Sequence, residues 1–168
     1  MTATQAPPVD FDGLIRDHAG LISRIARSFE ANEQDREDLK QDILLAIWRA
    51  LPLFRGDSSL KTFVAQIAQK RAVSHVRQHA RRGRSAPLDD QMARIGPVQE
   101  EQAIQNDLQR KLARLLAGLP LAQRETALLV LEGFSYSEIA SILGISVNAA
   151  TLRCTRARAY LTDALRDG

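Results

Sequence analysis

The apolar pattern of this chain stops once, between Gly83 and Val98, and that break limits what it can fold into. Gly83, Ser85, Pro87, Gly96 and Pro97 fall there without a sustained apolar period, which is linker chemistry. The 168 residues therefore divide into two flanking blocks of roughly 65–75 residues, each small for a core, rather than one average domain.

Inside both blocks the apolar repeat is helical. Leu14, His18, Leu21, Ile22, Ile25 and Phe29 follow a 3–4 spacing and predict a helix over about 11–30. Leu39, Ile43, Ile47 and Leu51 recur every four residues in a second helix, which starts near an acidic cluster and breaks around Pro52. A third begins after Phe54-Arg55-Gly56-Asp57-Ser58-Ser59, with Leu60, Phe63, Val64 and Ile67 as its expected buried stripe and its far half expected in solvent. No useful length alternates with period two. Only 5% of residues are aromatic against 45% hydrophobic, which suits a helical core of Leu, Ile and Ala. The expected fold class is all-α: two small helical domains joined by a flexible linker.

The net charge of +3 conceals a segregation. Glu30, Glu33, Asp35, Glu37, Asp38 and Asp42 crowd the start of the second helix. From Lys61 to Arg84 there are seven bases and no acid, and from Val147 to Leu161 three arginines and again no acid. Arginines outnumber lysines 19 to 4, and the guanidinium is the better bidentate partner for phosphate and guanine. Two separate binding surfaces are implied.

The C-terminal block carries the most specific motif. Leu121 to Glu132 reads as a helix ended by Gly133, and Ser135-Tyr136-Ser137-Glu138 as a capping box opening a short helix to Leu143. Gly144 supplies a tight turn, Ser146 caps the next helix, and the small Ala140 permits close approach. This is a helix-turn-helix. In the last helix Val147, Ala150, Cys154, Ala157 and Leu161 make the expected inward seam, while Asn148, Ala149, Leu152, Thr155 and Arg156 face outward with Arg153 and Arg158 on the flanks. Outward residues at the start of such a helix meet base edges, and flanking arginines meet phosphates.

These residues resemble a known family. Leu119-Pro120 with Arg124, then Glu132 to Ala140, Leu143 to Ser146 and Arg156-Ala157-Arg158, look like the −35-binding domain of bacterial RNA polymerase sigma factors. Independently, Asp38-Leu39-Lys40-Gln41-Asp42 with Trp48 resembles that family's core-binding helix. Phe54 to Ser59, Thr62-Phe63 and Ile67-Ala68 resemble its −10 reader. Two domains in this order, joined only by a linker, are similar to the extracytoplasmic-function (ECF) group of the sigma-70 family. The resemblance implies a disordered tail at 1–10, a region 2-like domain at 11–82, a linker at 83–103 and a region 4-like helix-turn-helix domain at 104–168.

By the same resemblance, core polymerase would be gripped by Asp38, Gln41, Asp42, Leu45 and Trp48, although Trp48 could equally belong to the core. The melted −10 strand would meet Phe54, Arg55, Gly56, Asp57 and Ser58, with Lys61, Lys70, Arg71 and Arg77 holding its phosphates. The −35 duplex would meet Ser146, Asn148, Ala149, Leu152, Arg153, Thr155, Arg156 and Arg158. Departures exist: Phe63 stands where the family commonly has Trp, Lys70 where it commonly has Asn, and Ala149 and Thr151 replace a common Thr and Lys. The outward Leu152 suits a thymine methyl or a protein neighbour. The expected partners are core RNA polymerase and promoter DNA, and the resemblance also admits an anti-sigma factor. Two alternatives stand beside this reading: a helix-turn-helix regulator working without polymerase, and a sigma-like decoy for an anti-sigma factor.

Other candidates are weaker. His75 and His79 are spaced for one helix face, but no Glu follows the first and no third ligand is evident nearby, so no metal is expected. Cys154 reads as a buried apolar residue, with no second cysteine for an internal disulfide. There is no phosphate-cradling glycine loop or nucleophile motif, so no cofactor and no enzymatic activity are expected. The N-terminus lacks a signal pattern and no apolar run reaches a membrane span, so a cytoplasmic protein is expected.

Overall fold

Most helices of this computed structural model begin where a side chain caps the first turn. The structure describes residues 9–83 and 100–166. The expected tail at 1–10 lies almost wholly outside them. Asp10 opens α1 (Phe11–Phe29) by accepting from the Asp12 and Gly13 amides at 3.2 and 3.0 Å. Asn32 opens α2 (Glu33–Ala50) through the Asp35 amide at 3.0 Å, with Glu33 and Asp35 in the first turn, where carboxylates oppose the helix dipole. Pro52 turns the end of α2 into a short 3-10 segment, Leu51–Leu53. Ser59 then caps α3 (Leu60–Arg81) through the Thr62 amide at 3.1 Å. These three helices pack on one another around Ile25, Leu39, Ile43, Ile47 and Val64, all essentially inaccessible to solvent.

The inward face of α3 differs from the expected stripe. Leu60, Phe63 and Ile67 are only half-buried, and the face turned to the core is Thr62, Val64, Ala65, Ala68, Gln69, Ala72 and Val73. Burial therefore continues past Ile67, into the half expected in solvent. Alanines let α1 and α2 lie close against α3, and they leave little trace in a hydropathy pattern. Gln69 is fully buried among them, and neither its amide nitrogen nor its oxygen has a hydrogen-bond partner.

The second unit comprises α4 (Glu100–Ala117), α5 (Leu121–Leu131), α6 (Tyr136–Leu143) and α7 (Val147–Arg166). Residues 100–103, expected as linker, already belong to α4. The α4–α5 corner is held by Arg124, whose Nη2 donates to the Ala117 and Leu119 carbonyls at 2.6 and 3.3 Å, satisfying acceptors at the end of α4. Leu116, Leu129, Ile139, Ala150 and Ala157 form the core of this unit. The described residues are all-α, as expected.

The two units touch. α1 packs against α4 and α3 against α6. Arg24 of α1 forks onto the Glu132 carboxylate at 2.6 and 2.8 Å, and Arg27 donates to Gln109 at 2.6 Å. Lys61 donates to the Glu132 carbonyl at 2.7 Å and lies 4.6 Å above the Phe134 ring centroid.

Candidate nucleic-acid interface

The turn between α6 and α7 is built by three local devices. Both halves of the capping box form: the Ser135 hydroxyl accepts from the Glu138 amide at 3.2 Å, and the Glu138 carboxylate accepts from the Ser135 amide at 2.7 Å. Those bonds hold the Glu138 carboxyl below its usual range. Gly144 takes the left-handed conformation at φ 65°, which favours glycine, and the Ser146 hydroxyl accepts from the Ala149 amide at 3.1 Å. α7 is thereby fixed against α5 and α6.

On α7 the inward seam holds at Ala150, Cys154 and Ala157, with Leu161 half-buried. Val147 departs from expectation and is 47% exposed, because it opens the helix at the turn, ahead of the first residue that packs inward. Burial pushes the Cys154 thiol up, away from the thiolate. Ser146, Asn148, Leu152, Thr155, Arg156 and Arg158 are exposed, whereas Ala149 and Arg153 are half-buried. The Arg153 charge acts inward on Glu125, whose carboxyl is raised by burial despite the offsetting Arg153 and Arg77. The Thr155 hydroxyl donates to the Thr151 carbonyl at 3.0 Å, so its proton is used within the helix.

The first unit presents two further faces. On α2, Asp38, Gln41, Asp42, Leu45 and Trp48 are all exposed and follow the 3–4 spacing of a single stripe. Trp48 is 59% exposed, so it does not belong to the core. The loop before α3 exposes Arg55, Gly56, Asp57 and Ser58, with Gly56 at φ 80°. Phe54 is half-buried and tilted on Phe63 at 4.9 Å between centroids, so it anchors the loop while its neighbours face outward.

Lys70 and Arg71 are exposed and line, with Ala46, Ala50, Ile67 and Ser74, a groove of about 320 Å³ between α2 and α3. Arg71 reaches toward Asp42 at 3.9 Å, joining the basic face of α3 to the acidic stripe of α2. Lys61 is engaged by the second unit, and the Arg77 charge is felt at Glu125 of α5. One member of the expected strand-holding set, Lys61, is therefore held by the other domain, while Arg77 is exposed.

Comparison with known proteins now decides the family. Residues 14–82 match Sigma-70 region 2, and residues 109–161 match Sigma-70, region 4. The chain belongs to the ECF group of sigma-70 factors. It is 31% identical over 152 residues to the ECF RNA polymerase sigma factor SigM of Mycobacterium tuberculosis, covering 90% of this chain and 74% of that one. It is also 31% identical over 169 residues to the RNA polymerase sigma factor NccH of Alcaligenes xylosoxydans xylosoxydans, covering 98% and 91%.

Two solved structures share the fold of this sigma factor. CnrH, in complex with the cytosolic domain of CnrY, superposes with a TM-score of 0.69 at 26% identity, over 94% of this chain and 88% of that one. RpoE of Bartonella quintana, in complex with the anti-sigma factor NepR, gives 0.73 at 24% identity, over 94% and 97%.

Sequence reasoning missed several residues of this sigma factor. Arg24 and Glu132 join its two regions from 108 positions apart, a separation no local pattern reveals. The third ligand candidate absent beside His75 and His79 is Glu30, 45 positions upstream of His75, whose carboxylate lies 2.7 Å from the His75 ring.

Proposed function

We propose that the chain is a promoter-specificity subunit that binds core RNA polymerase through α2, reads −35 duplex with α7, and holds the melted −10 strand with the loop before α3 and the basic face of α3. The exposed α2 stripe ending in Trp48 supports this reading most, because an ordinary helix-turn-helix regulator has no use for an open aromatic anchor beside an acidic face. The acid-free stretch Val147–Leu161 of α7, with Arg156 and Arg158 exposed, supplies the duplex contacts. It contributes no chemistry of its own; bond formation belongs to the polymerase. It acts in the cytoplasm, beside the polymerase and promoters it serves, and is held in reserve by an anti-sigma factor covering the α2 stripe. A protein partner is supported by the solved pairing of CnrH with the cytosolic domain of CnrY.

Reconstituted transcription with core polymerase on a promoter library tests the proposal. Specific initiation at a defined pair of elements is expected. Its absence with a correctly folded chain overturns the reading.

A further inference from the structure

The last two turns of α3 meet the end of α1 in a cluster that the promoter-reading surfaces do not use. His75 and His79, one helical turn apart, stack with ring centroids 4.1 Å apart and 36° between planes. Between them stands Glu30, at the C-terminal cap of α1. Its Oε2 lies 2.7 Å from His75 Nε2 and 3.8 Å from His79 Nδ1. Its other oxygen accepts from the Asn32 amide at 2.8 Å, which fixes the carboxylate plane from the N-cap of α2. The three side chains are 16%, 22% and 13% exposed for His75, His79 and Glu30, sheltered yet open to an entering ion.

We propose that Glu30, His75 and His79 form a site for a divalent cation of the zinc class, leaving one coordination position to water. The donor set is two imidazoles and one carboxylate, which suits zinc and its first-row neighbours and not magnesium or calcium. A tetrahedral ion with ligands at roughly 2.0–2.1 Å spaces them about 3.3 Å apart. The two separations from Glu30, 2.7 and 3.8 Å, straddle that value, and the candidate ligand atoms all lie within 4.8 Å of one another. Two histidines at i and i+4 present their nitrogens to one point on a helix face. A simple Glu30–His75 hydrogen bond accounts for neither the stacking of His79 nor its approach to the same oxygen. A bound ion staples α1 and the start of α2 to the end of α3, the helix that carries Arg77.

The test uses the full chain without an affinity tag, and Zn²⁺ alone as the probe. At a concentration 100-fold above its dissociation constant, Zn²⁺ should raise Tm by roughly 5–10 °C. His79→Ala should keep its metal-free Tm within about a degree and lose the rise. His18→Ala, removing the only other histidine, should retain it. Wild-type chain titrated with Co²⁺ provides a measurement independent of any variant's folding. A visible d–d absorption that saturates at one equivalent, and is displaced by Zn²⁺, is expected. No Tm rise in the wild type, an undiminished rise in His79→Ala, or no saturable cobalt band overturns the site.

Discussion

The bond between the two regions has a strength that can be worked out and measured. Arg24 is 56% exposed, while the Glu132 side chain it grips is only 9% exposed. Exposed ion pairs give about 0.2–1 kcal/mol, and the forked geometry places this one near the upper end, at about 1 kcal/mol after allowing for the wet Arg24 side. That energy changes the ratio of closed to open arrangements by about fivefold. The two single variants should not be equivalent. Glu132→Ala releases an arginine that water already solvates, and leaves the Lys61 bond to the Glu132 backbone carbonyl in place. Arg24→Ala strands a nearly buried carboxylate and should cost more, about 1–3 kcal/mol. Urea unfolding followed by helical circular dichroism on wild type, both singles and the double gives the coupling. A second readout is the ring-current shift of the Lys61 methylene protons above Phe134, which should weaken as the contact opens. A coupling below about 0.3 kcal/mol, or a larger loss from Glu132→Ala than from Arg24→Ala, refutes the reasoning. Lys61 must leave Glu132 and Phe134 to hold a phosphate, so Arg24→Ala should also bind a −10 single strand up to about fivefold tighter, measured by fluorescence anisotropy.

Three further outcomes follow from particular side chains. Gln69→Met keeps the unbranched length and removes two buried polar atoms without partners, so stability in thermal unfolding should rise by about 1–3 kcal/mol; a loss would show that Gln69 has a partner in solution. The Glu125 carboxyl is raised by burial, so the folded state binds its proton more tightly than the unfolded state does. Its effect on stability is therefore unfavourable at neutral pH, fades as pH falls through the raised folded-state value, and is gone below the ordinary carboxylate range: Glu125→Gln should raise Tm at pH 7 and converge with wild type near pH 4. Trp48→Ala should weaken core polymerase binding by about 2 kcal/mol, roughly 30-fold, and spare −35 duplex binding, while Arg156→Ala should do the reverse at about 1–3 kcal/mol. Gel-shift and core-binding titrations on both variants separate the two faces.

What was legible in the sequence was local. Ser59, Ser135, Gly144 and Ser146 act within a few residues of themselves, so their caps and turns follow from residue type and spacing alone. The α7 seam was legible because the helix packs through side chains at 3–4 spacing, and it failed only at Val147, where the helix has just begun. The α3 core face was not legible, since Ala65, Ala68, Gln69 and Ala72 carry no strong hydropathy contrast and their burial is imposed by α1 and α2. Trp48 was ambiguous for the same reason: an aromatic beside an apolar stripe serves core or interface equally well until the packing neighbours are known. Contacts such as Arg24–Glu132 and Glu30–His75 join positions from distant elements, and only the fold brings them together.

α3 is the member through which all of these features meet, and that raises the question of whether they act as one. Its first turn is tied to the second unit through Lys61, its middle lines the groove with Lys70 and Arg71, and its end holds His75 and His79 against Glu30. From Lys61 to His75 the helix rises about 20 Å. Perturbations separated by more than about 7–10 Å without shared partners add within about 0.3–0.5 kcal/mol. The ion at His75 and His79 and the contact at Arg24 share no side chain, so His79→Ala and Arg24→Ala should add in the absence of zinc. With zinc bound, α1 becomes common to both sites, because Glu30 ends the helix on which Arg24 lies less than two turns earlier. A zinc-dependent departure from additivity larger than about 0.5 kcal/mol would mean that α1 transmits strain from the ion to the interdomain bond. Additivity in both conditions would mean that the staple and the latch are independent, with α3 serving only as their common support.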